Sequence, residues 1–128
     1  MTLYQQYLKD YKAFKFHNEG QLEAVMSIRK FIDEHFEQEV NLDLLAEKKF
    51  ISKYHLLRLF KRYFGQTPRQ YLVEKRLGRA KELLTTGTPV TETCYAVGFK
   101  SLGSFSSLFK SRNGVSPREF QKRARLKK

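Results

Sequence analysis

The chain states one pattern twice. Residues 59–71 read LFKRYFGQTPRQY and residues 108–120 read LFKSRNGVSPREF. Each stretch opens Leu-Phe-Lys and sets a Gly four residues after the Lys. A hydroxyl residue, a Pro and an Arg follow, and an aromatic closes both, at a constant offset of 49 residues. A repeat of this kind constrains the architecture before any other feature, because each copy must be one supersecondary unit.

Hydrophobic periodicity says which unit. Tyr4, Tyr7, Tyr11 and Phe14 form a helical stripe, which Asn18-Glu19-Gly20 is expected to break. Leu22, Val25, Ile28, Ile32 and Phe36 define an amphipathic helix over residues 21–36. Asn41 caps a short helix whose Leu42, Leu45 and Ala46 face inward. Ser52 caps the next, with Leu56, Leu59 and Phe60 buried and Gly65 ending it. Thr67, Pro68 and Gln70 give a capped start to the longest helix, up to about residue 85. Gly78 inside it costs about 1 kcal/mol relative to Ala, with close packing the one reason to expect it there.

The second copy follows the same plan. Thr88-Pro89 opens a short helix carrying Cys94, Val97 and Phe99, and the chain turns at Lys100-Ser101 after Gly98. A helix with Phe105, Leu108 and Phe109 inward stops at Gly114. Ser116-Pro117-Arg118-Glu119 is again a capping box, and KRARLKK reads as a frayed basic tail. The expected fold is all-α: two helix–turn–helix units joined by a long linker helix, seven helices in all, plus a short N-terminal helical arm. The boundaries are an arm over 1–20, a first unit over 21–66, the linker over 67–87 and a second unit over 88–128.

Charge narrows the function. The net charge is +12, but residues 1–40 carry 5 Lys+Arg against 7 Asp+Glu, while residues 41–128 carry 20 against 6. A basic field over the repeat draws polyanions, with nucleic acid first and an anionic membrane surface second. No strongly apolar face remains for a membrane after the core is assigned. One cysteine, no membrane-spanning run and no signal peptide favour the cytoplasm. Cys94 reads as core rather than as a redox sensor. His17, His35 and His55 are too scattered for a metal site. No catalytic constellation or phosphate-cradling Gly loop appears, so no enzyme and no cofactor is expected.

In a helix–turn–helix the second helix enters the major groove, and its early residues meet base edges. In the first copy the outward set includes Tyr54, His55, Leu57 and Arg58 as base readers. Arg58 leads, since guanidinium can bind guanine in bidentate fashion. In the second copy the readers are Leu102, Gly103, Ser104 and Ser107, smaller and more hydroxylic, so this copy should read more weakly. Two different readers suit an asymmetric, two-part site bound by a monomer. Phosphate contacts are expected from Ser52, Lys53, Lys61 and Arg62 in the first copy. Lys100, Ser101, Lys110 and Arg112 are their counterparts in the second. The helix starts at Thr67 with Arg69, and at Ser116 with Arg118, offer further phosphate sites beside their capping role.

Residues 90–123, VTETCYAVGFKSLGSFSSLFKSRNGVSPREFQKR, resemble the C-terminal signature of AraC/XylS-type transcription regulators. Val97-Gly98-Phe99, Ser101, Phe105-Ser106, Phe109-Lys110, Gly114 and Ser116-Pro117 carry the likeness. Tyr71-Leu72, Arg76-Leu77, Ala80 and Leu83-Leu84 resemble the family's linker helix. The resemblance covers about residues 21–125. It implies seven helices, double-stranded DNA as partner, two recognition helices in successive major-groove segments, and activation through RNA polymerase. It sets the base-reading places on Tyr54, Leu57 and Arg58, and on Leu102, Gly103, Ser104 and Ser107. Gly103, Ser107 and Cys94 depart from the residues common there. Most relatives resemble a ligand-sensing domain followed by this module. The starting Met favours a small stand-alone regulator over the detached end of a larger one.

Two other readings remain open from sequence. The serine-rich reader of the second copy suits an architectural DNA-binding protein with little base preference. The N-terminal aromatic stripe suits a helix packed on its own domain, a dimerising or partner-binding helix in a module that modulates a larger regulator, or a disordered arm.

Overall fold

The computed structural model describes residues 2–127, with the side chains of residues 10–19 outside the description. Among the described residues there are seven α-helices and no strands. They are α1 (Leu3–His35), α2 (Leu42–Lys48), α3 (Lys53–Phe64), α4 (Pro68–Thr85), α5 (Val90–Ala96), α6 (Leu102–Asn113) and α7 (Pro117–Leu126). The chain forms two compact units, one of Met1–Ile32 with Asn41–Pro68, the other of Asp33–Val40 with Arg69–Lys128.

The expected break at Asn18-Glu19-Gly20 is absent, and α1 runs through it. An interior Gly costs a helix about 1 kcal/mol, which the hydrogen bonds of neighbouring turns absorb. Gly20 is not among the positive-φ glycines. Tyr4 and Tyr7 are exposed, so neither of these two rings is packed on the domain. Tyr11, Phe14 and His17 lie outside the described side chains.

In the first unit, α2 packs on α3. The buried side chains are Val25, Ile28 and Ile32 of α1, Ala46 of α2, Ile51 of the turn, and Leu56 and Phe60 of α3. Phe60 and Phe64 meet edge to face with ring centres 4.7 Å apart, and the Arg29 guanidinium lies 4.6 Å over Phe64.

In the second unit, one cluster joins Val73, Leu77, Ala80 and Leu84 of α4 with Cys94 and Val97, Phe99, and Phe105 and Phe109 of α6. Phe120 of α7 completes it, its ring 5.4 Å from that of Phe109. Buried Gln121 donates from Nε2 to the carbonyls of Leu84 at 3.1 Å and Thr88 at 2.7 Å, tying α7 to the end of α4. The expected frayed tail is helical as far as Leu126. Arg123 pairs with Glu119 one turn earlier at 3.2 Å, and Ala124 is half-buried, so this helix keeps contacts that sequence composition concealed.

The two helix–turn–helix motifs differ by one residue. α2 closes with N–H bonds from Phe50 to Glu47 (3.1 Å) and from Ile51 to Ala46 (3.0 Å). α5 closes with the same pair, Gly98 to Tyr95 (3.2 Å) and Phe99 to Cys94 (3.1 Å). This bond pattern places Phe50 and Gly98 at the left-handed position that usually takes Gly. Their φ values are 55° and 104°. Phe50 therefore carries about 1–2 kcal/mol of backbone cost that Gly98 does not. One residue, Ile51, then precedes the cap Ser52, while Phe99 and Lys100 precede the cap Ser101. The offset between copies is 48 residues before the turn and 49 after it.

Candidate nucleic-acid interface

The second helix of each motif starts on a serine cap. Ser52 Oγ accepts from the His55 N–H at 3.1 Å, and Ser101 Oγ accepts from the Ser104 N–H at 3.3 Å. Each stops at a left-handed glycine, Gly65 or Gly114, whose N–H returns to the fourth carbonyl before it at 2.8 Å. Identical brackets thus hold α3 and α6, and what differs is the outward face.

On α3, Leu56 and Phe60 are buried and Leu59 is half-buried, which leaves Tyr54, His55, Leu57 and Arg58 exposed together. The Arg58 guanidinium lies 5.5 Å over the Tyr54 ring, which meets the His55 ring edge-on at 5.9 Å. Such a cation–π contact at an exposed site contributes about 0.5–1 kcal/mol and restrains the arginine before any partner arrives. Lys61 and Arg62 are exposed in the last turn. Lys53 shares its charge with Asp43 at 3.2 Å.

On α6, Phe105 and Phe109 are buried, while Leu102, Gly103, Ser104 and Ser107 are exposed. A Cβ on Gly103 would stand 3.7 Å from Ser101 Oγ, an ordinary contact, so packing does not require glycine there. Lys110 is exposed. Two other expected phosphate contacts are paired with carboxylates, Lys100 with Glu39 at 3.1 Å and Arg112 with Glu74 at 2.9 Å.

An open cleft of about 310 Å³ gathers Arg69, Lys100, Ser101 and Ser104 around Leu72 and Phe99. Ser116 caps α7 through the Glu119 N–H at 3.1 Å, beside exposed Arg118. Thr67 is half-buried ahead of Pro68 at the start of α4.

Sequence reasoning gave Arg76 no role, yet it organises this unit. Its Nε donates to the Phe36 carbonyl at 2.7 Å and its terminal NH2 to the Gln38 carbonyl at 2.9 Å, with the guanidinium 5.7 Å over the Phe99 ring. Burial, and then the like charge of Arg69, push its pKa down from the ordinary arginine value. Nearby, Asp33 accepts a hydrogen bond from Tyr71 and pairs with Lys75 at 3.2 Å. The bond to Asp33 raises the Lys75 pKa. The one advance signal for Arg76 was its place in the linker-helix likeness.

Among the described residues no group of His, Cys, Asp or Glu is placed to hold a metal ion, and no helix is long and apolar enough to cross a membrane. Two motifs of paired helices, each ending in a capped and outward-facing second helix, define a helix–turn–helix DNA-binding domain. A family model described as a helix-turn-helix domain matches residues 45–123, more than half of the chain. The regulatory protein SoxS of Salmonella typhimurium is 31% identical over 102 residues, 79% of this chain and 95% of SoxS. A probable transcriptional regulator, LumQ of Photobacterium leiognathi, is 33% identical over 95 residues, 73% of this chain but 38% of LumQ. The DNA-binding domain of the global transcriptional factor AdpA, solved with a target DNA, superposes with a TM-score of 0.76 at 25% identity over 81% of this chain and 95% of that one. The chain belongs to the AraC/XylS-type family of transcription regulators.

Proposed function

We propose that this chain is a sequence-specific regulator that reads double-stranded DNA with α3 and α6, binds as a monomer to a two-part site, and activates transcription through RNA polymerase at the nucleoid. The observation that carries the reading is the outward face of α3. Arg58 is stacked on Tyr54, flanked by exposed His55 and Leu57, on a helix whose other side is core. Guanidinium supplies bidentate recognition of guanine, and Leu57 or Leu102 can meet a thymine methyl. Lys61, Arg62, Lys110, Arg69 and Arg118 supply charge for phosphates. Activation rests on the family resemblance rather than on a property of this geometry.

The unequal faces of α3 and α6 favour an unequal division of labour, with α3 the stronger reader. A second reading, in which α6 only anchors the chain, draws on the small side chains Gly103, Ser104 and Ser107 and on the paired charges of Lys100 and Arg112. Selection of bound fragments from a random DNA pool at near-physiological salt separates the two. Two enriched blocks about one helical turn (roughly 10 base pairs) apart support reading by both helices. One block supports anchoring by α6. Measurable binding with no enriched sequence overturns sequence-specific recognition.

A further inference from the structure

Phe50 combines two unfavourable features. It is 98% exposed, and its φ of 55° lies in the region that bulky L-residues rarely adopt. The fold itself does not require this side chain. At the matching position of the second motif, Gly98 donates the same closing hydrogen bond. A backbone outlier held beside a candidate site points to a use outside the fold.

The surroundings of Phe50 narrow that use. Lys48 and Lys49 precede it and are exposed, with no ion pair among the described residues. The matching residues before Gly98 are Ala96 and Val97, so the second turn has neither the charge nor the ring. Phe50 also stands two residues before Ser52, the cap of α3. The first turn is thus an aromatic tip among cations, continuous with the reading helix. The left-handed backbone fixes the direction of its exit from the turn. A polymer that alternates anionic phosphates with apolar sugar faces complements this arrangement.

We infer that the α2–α3 turn is a DNA contact of its own, in which Lys48 and Lys49 meet backbone phosphates and the Phe50 ring packs on the deoxyribose between them. The inference rests on the reading of α3 as a DNA-contacting helix and extends it to a segment outside that helix. Deoxyribose carries no base identity, so the contact adds affinity without preference.

The test uses the full chain and its selected DNA fragment, with Phe50→Gly, Phe50→Asn, Lys49→Gln and Arg58→Ala. Phe50→Gly relieves the backbone, so the melting temperature should rise by about 4–7 °C. Its DNA affinity should nevertheless fall about threefold to tenfold, equally on matched and scrambled fragments. Phe50→Asn, which tolerates the left-handed region, should lose affinity likewise. Lys49→Gln should make the salt dependence shallower by about one unit of slope. If both Phe50 variants bind as the parent does while Arg58→Ala loses preference, the turn is not a DNA contact and the reading of α3 stands. If Arg58→Ala is silent as well, the reading of α3 has failed and takes this inference with it. Unchanged DNA affinity with lost capture of purified RNA polymerase would assign Phe50 to a protein contact and overturn the inference.

Discussion

Arg76 occupies the space that a side chain on Gly98 would need. An ideal Cβ on Gly98 would stand 2.8 Å from Arg76 Nε and 3.0 Å from the carbonyl oxygens of Phe36 and Glu37. Arg76 cannot withdraw, because the same Nε is bonded to the Phe36 carbonyl at 2.7 Å. The glycine of the turn, the arginine of α4 and the chain following α1 thus share one close-packed point of the second unit.

Gly98→Ala should therefore cost more than its backbone alone. A left-handed alanine costs about 1–2 kcal/mol, and the crowding adds about 1–3 kcal/mol. Gly114→Ala is the control, since its φ is also positive, at 79°, but nothing lies within 4 Å of the added carbon. Urea unfolding should show the Gly98 variant as clearly the less stable of the two. Equal losses would mean that Arg76 gives way and the close approach is immaterial.

Gly78 invites the opposite change. It lies within α4, exposed, with nothing within 4 Å of an added Cβ. Close packing, the reason the sequence suggested, does not hold. Gly78→Ala should stabilise the protein by about 1 kcal/mol through helix propensity and a less flexible unfolded chain. Thermal melting reads this directly, and a destabilised variant would expose a constraint on α4 that its surface does not display.

Cys94 should report on opening of the second core. Its side chain is fully buried, and burial raises the thiol pKa above its ordinary value of 9.0. The unfolded thiol therefore ionises first as pH rises. Stability from this group is whole below the ordinary value and declines above it. Alkylation at pH 8 should be slow in native buffer and accelerate with urea in step with unfolding. Rapid modification of the native protein would contradict the buried placement.

The helices and their caps were legible because each rests on a local rule. Asn41, Ser52 and Ser116 cap as their residue types dictate, and Gly65 and Gly114 end helices through positive φ. The exposed set on α3 followed from spacing once Leu56 and Phe60 were assigned inward. What was not legible depends on partners distant in sequence. Arg76 meets carbonyls about forty positions away, with |i−j| of 40 and 38, and Gln121 bridges carbonyls at separations of 37 and 33. Neither has a local signature. The pairing of Lys100 with Glu39 and Arg112 with Glu74 is hidden for the same reason. Phe50 was missed otherwise: a lone aromatic in a brief connection carries no local signal, and its exposure and left-handed φ are visible only in the fold.

Arg58 and Lys61 stand one turn apart on α3 and should fail in different ways. Arg58→Ala removes a planar donor restrained over Tyr54, at a cost of about 1–3 kcal/mol, and should relax preference at one position of the site. Lys61 is a mobile point charge late in the helix. Lys61→Ala should weaken all sequences alike and make the salt dependence shallower by about one unit. Arg112→Ala should lose less than Lys61→Ala, because Glu74 already offsets part of its charge. Titrations of matched and scrambled fragments at several salt concentrations distinguish these behaviours. Uniform weakening by Arg58→Ala would demote it to a phosphate contact, and altered preference in Lys61→Ala would move base reading towards the end of α3. Either result would redraw the reading face without disturbing the fold, because both side chains lie outside the core.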